Sequence, residues 1–225
     1  MLRESELSCK VEVFEMNIAI IGTGNVGAAL GKRWAGLGHT IIFGSRDPQG
    51  AKTQALLREA GANARAASQA AACAAAEVIL LAAPFHACEA LLQELGSLDG
   101  KILIDATNPF GEGMRLLTWP NSSAAEQIAG WSGGARVVKA FNMTGSANML
   151  DADYGALKPA MLVCGDDAAA KTLACELAGQ IGFDPVDCGA LSQAYLLETA
   201  AGLWVNLAYL QGQGPNIALT LLRRQ

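Results

Sequence analysis

The chain has 225 residues, of which 52% are hydrophobic and 16% charged, and its formal net charge is −5. That length allows one large domain or two small ones, with ample apolar material for a core. The acidic balance excludes a surface built for nucleic acid or an anionic membrane, and six scattered cysteines without a Cys-x-x-Cys pair, beside two histidines, offer no metal-site spacing.

Residues 1–15 are polar and read either as a disordered leader or as an extra edge strand through Val11–Phe14. Met1–Ser8 carries charge where a secretory leader needs an apolar centre. The longest apolar run, Leu196–Leu210, is broken by Glu198 and Asn206 and is too short to span a bilayer. A cytoplasmic protein with reduced cysteines is expected.

The first strong signal begins at Ile18. Four apolar residues lead into Gly22-Thr23-Gly24-Asn25-Val26-Gly27, and a run of helix formers, Ala28–Gly36, comes directly after. Strand, tight turn and helix are the context that gives a Gly-x-Gly-x-x-Gly match its meaning. Gly22 makes the turn, Gly24 lets the backbone approach a pyrophosphate, and Gly27 lets helix and strand pack closely. The helix start then offers free N–H groups to that pyrophosphate.

A second strand, Thr40–Phe43, ends in Gly44-Ser45-Arg46. An NAD-binding chain would place an acid here to hold the ribose 2′-hydroxyl. Glycine instead leaves room for a 2′-phosphate, and the Ser45 hydroxyl and Arg46 guanidinium can bind it, so NADP(H) is the expected cofactor. Asp47-Pro48 reads as a turn that starts the next helix.

Helix over about Gly50–Glu59, a short strand within Gly61–Ala66, and an alanine-rich helix Ser68–Ala76 capped by Ser68 come next. Glu77–Ala83 is a buried strand stopped by Pro84; Phe85–Leu95 has helical spacing; Lys101–Asp105 is the fifth strand. Strand and helix alternate throughout, which predicts a Rossmann-type, doubly wound parallel α/β sheet. A long loop, Asn108–Asn121, interrupts the pattern and reads as a lid or binding loop. Ser123-Ala124-Ala125-Glu126 is a capping box, and Arg136–Lys139 is a sixth strand ending in Ala140-Phe141-Asn142.

A composition break between Asn148 and Pro159 divides an NADP-binding domain, 16–147, from a small C-terminal α/β lobe, 148–225. The lobe is expected to hold a strand Ala160–Cys164, a helix to Gln180, a strand Phe183–Asp187, a long helix Leu191–Tyr209 and a last helix through Leu222. Arg223 and Arg224 would suit the end of that last helix. The apolar Leu203, Trp204, Leu207 and Leu210, with few charges nearby, predict a homodimer.

Ligands in such sheets bind outside the carboxyl ends of the strands. The cofactor-binding candidates there are Gly22, Thr23, Gly24, Asn25, Val26, Gly27, Ser45, Arg46, Ala83, Pro84, Asn108, Ala140, Phe141 and Asn142, with Pro109 on the acceptor side. None is a placeable nucleophile, general acid or base, and no catalytic residue is assigned. Hydride transfer needs none, because the nicotinamide carries the reaction. Lys139 reads as a strand-end residue with its ammonium paired or solvated. His86 is placed between a cofactor contact and a polar residue opening a helix.

The segments Gly22–Gly27, Gly44–Arg46, Val138–Asn142, Val163–Asp167 and Gly182–Gly189 resemble the NADPH-dependent deazaflavin (coenzyme F-420) reductases. They are equally similar to the cytosolic NADPH-binding domain of the six-transmembrane ferric reductases. The resemblance spans roughly residues 16–223 and implies a Rossmann domain with a small C-terminal lobe, direct hydride transfer and a homodimer. It carries the NADP site onto Thr23, Gly24, Asn25, Ser45 and Arg46. At Thr107–Pro109 and Lys139–Asn142 the chain departs from the deazaflavin enzymes and looks more like the ferric-reductase domain. The small-molecule hydride acceptor is therefore open among coenzyme F-420, a flavin, and a small carbonyl or imine. A non-catalytic NADP(H)-binding sensor is the alternative from another class.

Overall fold

A computed structural model describes residues 15–224. The alternatives for Val11–Phe14 lie outside the described residues. The strands are β1 (Asn17–Ile21), β2 (Thr40–Gly44), β3 (Ala64–Ala67), β4 (Val78–Leu81), β5 (Ile102–Asp105), β6 (Arg136–Lys139), β7 (Ala160–Gly165) and β8 (Asp184–Asp187). The helices are α1 (Asn25–Gly36), α2 (Ala51–Ala60), α3 (Gln69–Ala74), α4 (Cys88–Leu95), α5 (Ala124–Trp131), α6 (Ser146–Leu150), α7 (Ala168–Gln180) and α8 (Ala194–Val205).

The strands form one eight-stranded sheet in the order β3-β2-β1-β4-β5-β6-β7-β8. All neighbours are parallel except β6 and β7, which are antiparallel. The sheet thus continues past residue 148 into the C-terminal residues. It is the doubly wound α/β architecture that the alternation of elements predicts. The strand order reverses between β1 and β4, the place where such sheets open a crevice.

The inner strands β1, β2, β4 and β5 are largely apolar on both faces because helices cover both faces. Ile18 and Ile20 of β1 belong to one buried cluster with Leu30 and Trp34 of α1 and Leu177 of α7. Ala19 and Ile21 belong to the opposite cluster with Cys73 of α3, Leu92 of α4 and Ile128 of α5. This alternation is the two-residue period of a strand. Caps fix the helix starts as the sequence suggests: Ser68 Oγ accepts from Ala71 N at 3.2 Å, and Ser123 Oγ accepts from Glu126 N at 3.2 Å.

Two expectations need correction. The long C-terminal helix begins as a 3₁₀ turn, Leu191–Gln193, and ends in a π turn, Asn206–Leu210. Among the described residues, no last helix comes after it. Gly212 and Gly214 adopt positive φ (70° and 82°), and Pro215 is next. The chain then runs back to the start of β7, where Ala160 N donates to Leu219 O at 2.8 Å, and Trp204 Nε1 donates to Ile217 O at 2.8 Å. Arg223 therefore ends no helix; its guanidinium lies 3.3 Å from an Asp184 carboxylate oxygen. The short α6 has neither a side-chain cap nor the length for a period, so nothing in the sequence announces it.

Among the described residues, no helix is long and apolar enough to cross a membrane. Burial pushes the Cys73 thiol up to about 11 and the Cys88 and Cys164 thiols up to about 12. These thiols stay protonated and act as small core groups, not as nucleophiles.

Candidate functional site

Register assembles the site. Gly44 lies opposite Ile21, Ile21 opposite Leu81, Leu81 opposite Asp105, and Asp105 opposite Lys139. The residues just beyond this row share one edge: the glycine turn after β1, Ser45-Arg46 after β2, Ala82–Pro84 after β4, Thr107–Pro109 after β5, and Ala140–Asn142 after β6.

At the first of these, Gly22 has φ 109°, and a Cβ there would stand 2.5 Å from the Ala82 backbone. A Cβ on Gly27 would meet Gly22 O at 2.0 Å. Both positions exclude any side chain, the first by conformation and contact, the second by helix–strand packing. Gly24 is the N-cap of α1 and leaves it without a side-chain cap. The orphan amides at the start of this 12-residue helix therefore face the open end of the turn. Thr23 is half-buried beside them, Gly24 and Asn25 are exposed, and Val26 is half-buried. A cradle of bare N–H groups at a glycine turn fits a pyrophosphate.

Gly44 has a different reason from the one its sequence context suggests. A Cβ there would lie 2.5 Å from Ile21 Cδ1 and 3.2 Å from Gln69 Cα, so the space is filled by the core and not left to a phosphate. The same contact keeps an acidic side chain out. The Ser45 hydroxyl is engaged in its own turn, 3.1 Å from Asp47 N and 3.1 Å from Thr53 Oγ1. Arg46 is exposed and makes no ion pair among the described residues. The Asp47 carboxylate folds back over Gly50, as a turn leading into α2 requires.

At the opposite side of the edge, Ala83 is half-buried and Pro84 exposed. His86 is exposed in a 3₁₀ turn, Phe85–Ala87. Ala140 is fully buried. Phe141 corrects an expectation. Its φ of 58° swings the side chain into the core, where the ring packs edge-on against Trp34 at 5.5 Å. The phenyl ring lines no cleft; only the Phe141 backbone borders the site.

Asn142 and Asn108 lock the two loops together. Asn108 Nδ2 donates to Asn142 O at 2.7 Å, and Asn142 Nδ2 donates to Asn108 Oδ1 at 3.0 Å and to Leu197 O at 3.0 Å. With both acceptors on the Nδ2 side, Asn142 Oδ1 is buried without a partner among the described residues, as is Thr107 Oγ1. Orphaned polar atoms are costly and call for a ligand group or water.

Beneath this edge sits a charged cluster that residue spacing does not announce. Lys139 is fully buried, with Nζ 2.8 Å from Asp105 Oδ2, 2.7 Å from Thr107 O and 3.4 Å from Glu198 Oε1. Its ammonium is thus paired rather than solvated. Glu198 Oε2 accepts from Ala124 N and Oε1 from Ala125 N, each at 3.1 Å, which caps α5 from α8. Burial pushes the Glu198 carboxyl above its ordinary value, while Lys139 and the two amides pull it down. The signals present in the sequence are a lone Glu in an apolar helix and an Asp ending an apolar strand, since charges in buried elements need partners.

A cavity of about 450 Å³ opens next to Glu198, between the 108–121 loop and α8. Leu116, Trp119, Ser122, Ser192, Tyr195 and Thr199 contribute to its walls. The loop is pinned by bridges Phe110–Leu116 and Trp119–Ser122 and by the Trp119 ring, 5.5 Å from Phe85. Two links join the cavity to the candidate cofactor edge: Phe85, packed on the wall residue Trp119, comes directly after Pro84, and Leu197, bonded by Asn142, precedes the wall residue Glu198.

A family model described as "NADP oxidoreductase coenzyme F420-dependent" matches residues 17–109. The F420-dependent NADP reductase of Methanothermobacter marburgensis is 35% identical over 207 residues, covering 85% of this chain and 92% of that protein. Metalloreductase STEAP3 of Rattus norvegicus is 34% identical over 181 residues, 80% of this chain but 35% of that longer protein. A solved structure of a candidate F420-dependent NADP-reductase from Arthrobacter sp. FB24 superposes with a TM-score of 0.82 at 31% identity, covering 92% of this chain and all of that one. The reductive aminase of Aspergillus terreus, solved with NADPH4, shares the fold with a TM-score of 0.64 at 21% identity, over 88% of this chain and 63% of that one.

Proposed function

The chain belongs to the family of coenzyme F420-dependent NADP oxidoreductases, and from that premise we propose that it moves hydride directly between NADP(H) and the flat ring of a deazaflavin or flavin. The observation that carries this reading is the cavity beside Glu198, which adjoins the cofactor edge through Asn142 and Phe85. A protein that only senses NADP(H) needs no second cleft there.

When bound, NADP(H) supplies the hydride, and the chain supplies position and dryness. The amides of Asn25, Val26 and Gly27 hold the pyrophosphate at the α1 N-terminus. Arg46 holds the 2′-phosphate, with Thr23 and Ser45 beside it. Ala83, Pro84, Asn108, Ala140, the Phe141 backbone and Asn142 border the nicotinamide. The Asn142 carboxamide oxygen has an unfilled acceptor position for an amide N–H. The 108–121 loop, held by Trp119, keeps water from the acceptor. We also propose a homodimer: of the residues that motivate it, Trp204 is buried and bonded to Ile217 O and Leu207 is half-buried, so the exposed Leu203 and Leu210, with Leu196, carry the proposal; a monomeric mass by light scattering at micromolar concentration would remove it.

Two outcomes are expected. Deuterium placed on the nicotinamide C4 should appear on a deazaflavin ring in a single turnover, and for a flavin, whose N5 exchanges with solvent, ring reduction should show a primary isotope effect. Failure of every deazaflavin, flavin and small carbonyl to oxidise NADPH would shift the reading to the sensor. Arg46→Ala should weaken NADPH binding about tenfold to a hundredfold, the weight of a hydrogen bond to a charged group, while NADH binding stays nearly constant. Equal losses for the two cofactors in a titration would remove Arg46 from the phosphate site.

A further inference from the structure

We propose that Glu198 is an acceptor-recognition residue: its carboxylate receives an N–H of the ring that enters the 450 Å³ cavity, selecting rings with an unsubstituted N–H between two carbonyls. This rests on the proposed function and names the edge of the acceptor that the pocket reads.

The volume lies within the usual range for small-molecule sites. Trp119 and Tyr195 give it aromatic walls suited to a flat ring. Among the described residues no lysine or arginine lines it, and its two carboxylates are Glu126 and Glu198. Glu126 Oε2 accepts a hydrogen bond from the Ser123 hydroxyl at 2.8 Å at the start of α5, whereas Glu198 is held in place by three partners. An anionic edge would be repelled here, whereas a donor edge is attracted.

Glu198 has capacity left. An ionised carboxylate has about four lone-pair sites. Ala125 N–H and the Lys139 ammonium use two on Oε1, and Ala124 N–H uses one on Oε2. One site on Oε2 is unclaimed. Glu198 is 3% exposed, yet it forms part of the cavity lining, so a ligand in the cavity meets this residue with little competition from bulk water. Ser122 and Ser192 line the same cavity; the Ser192 hydroxyl, and that of Ser122 on giving up its long 3.5 Å bond to Ser123 O, can donate to carbonyls flanking the N–H. The pyrimidinedione edge of flavins and deazaflavins carries this carbonyl, N–H, carbonyl sequence. A carboxylate fixed by Lys139 and two helix amides costs little to preorganise, which is what recognition of one N–H requires.

The test uses lumiflavin and 5-deazalumiflavin, each compared with its 3-methyl form, which lacks only that N–H. Binding is read at equilibrium with NADP⁺ present, by quenching of the ring's own fluorescence, and kcat/KM is read with NADPH. The wild type should bind the N–H rings about tenfold more tightly than their methyl forms, the factor of one charge-assisted hydrogen bond. In Glu198→Gln that preference should shrink to about twofold, because a charged acceptor has become neutral, and NADPH affinity should hold. A purely structural Glu198 would lower both rings equally and leave their ratio intact, and that result overturns the proposal. Should Glu198→Gln fail to fold, the wild type still decides: equal binding of the two forms overturns it. If no ring binds at all, the proposed function falls and takes this inference with it.

Discussion

Lys139→Met is expected to destabilise the protein by about 3–5 kcal/mol, the penalty for stripping the counter-ion from a buried pair. The side chain is fully buried, and so is Asp105. Removing the ammonium leaves the Asp105 and Glu198 carboxylates facing each other in the core with only amide donors to hold them. For a domain of this size, each kcal/mol lowers Tm by roughly 2–4 °C, so a fall of about 6–20 °C should appear in a thermal melt. Adding Asp105→Asn should recover part of the loss, because one uncompensated charge is gone. The loss should also lessen in acid. Glu198 has a folded value raised above its ordinary 4.5, so its stabilising contribution is complete below that value and disappears as pH rises through the folded one. Without Lys139 the folded value rises further, and the variant should be closest to wild type at low pH. A drop below about 1 kcal/mol at neutral pH, the level of a surface pair, would mean that the cluster carries no real burden.

Much of the fold is legible in the sequence because local rules and tertiary packing agree there. The apolar runs of β1, β2, β4 and β5 have no other place than a sheet covered on both faces, and Gly22 and Gly27 mark a turn where side chains would collide with backbone. Ser68 and Ser123 announce helix starts by chemistry that acts over three residues. The failures share a physical cause: the deciding partner is distant in sequence. The segment after Leu210 has apolar residues that suit a helix, but Gly212, Gly214 and Pro215 break it, and the Leu219 carbonyl accepts from Ala160 N at the start of β7 instead of from a helical partner. Phe141 sits where a ring could line a nicotinamide, and only its left-handed backbone, packed on Met161 and Trp34, turns it inward. Gly44 looks like an invitation to a phosphate and is a packing glycine against Ile21. The Asp105, Lys139 and Glu198 cluster joins two adjacent strands to a helix about sixty residues further along, a distance over which no spacing rule operates. Each charge is visible singly; the register that pairs Asp105 with Lys139, and the helix that brings Glu198, are not.

Thr199→Trp is expected to abolish turnover, lowering kcat/KM for a ring acceptor by at least about a hundredfold, while NADPH affinity changes no more than about twofold. The scale is that of misplacing reactants by about an ångström in a positioned reaction. Asn142 is the wrong residue to block with, although it adjoins the proposed cofactor edge. It is buried and holds Asn108 and Leu197, so a bulky replacement would unmake the loops themselves. Thr199 is exposed on α8 and lines the cavity. Its hydroxyl only donates back to Tyr195 O at 2.7 Å within its own helix, a bond whose loss costs a helix little. An indole there would occupy the space beside Trp119 and Tyr195 that an incoming ring needs, and would leave the glycine turn and Arg46 untouched. Thr199→Ser keeps the back-bond and the small volume, and should retain the wild-type rate. Three readouts separate the alternatives. A wild-type rate in Thr199→Trp places the acceptor away from this cavity. Joint loss of turnover and NADPH binding makes the cavity part of the cofactor site. Loss of turnover alone, with single-turnover hydride transfer from bound NADPH also gone, leaves a second cleft whose only role is to hold the acceptor against the nicotinamide.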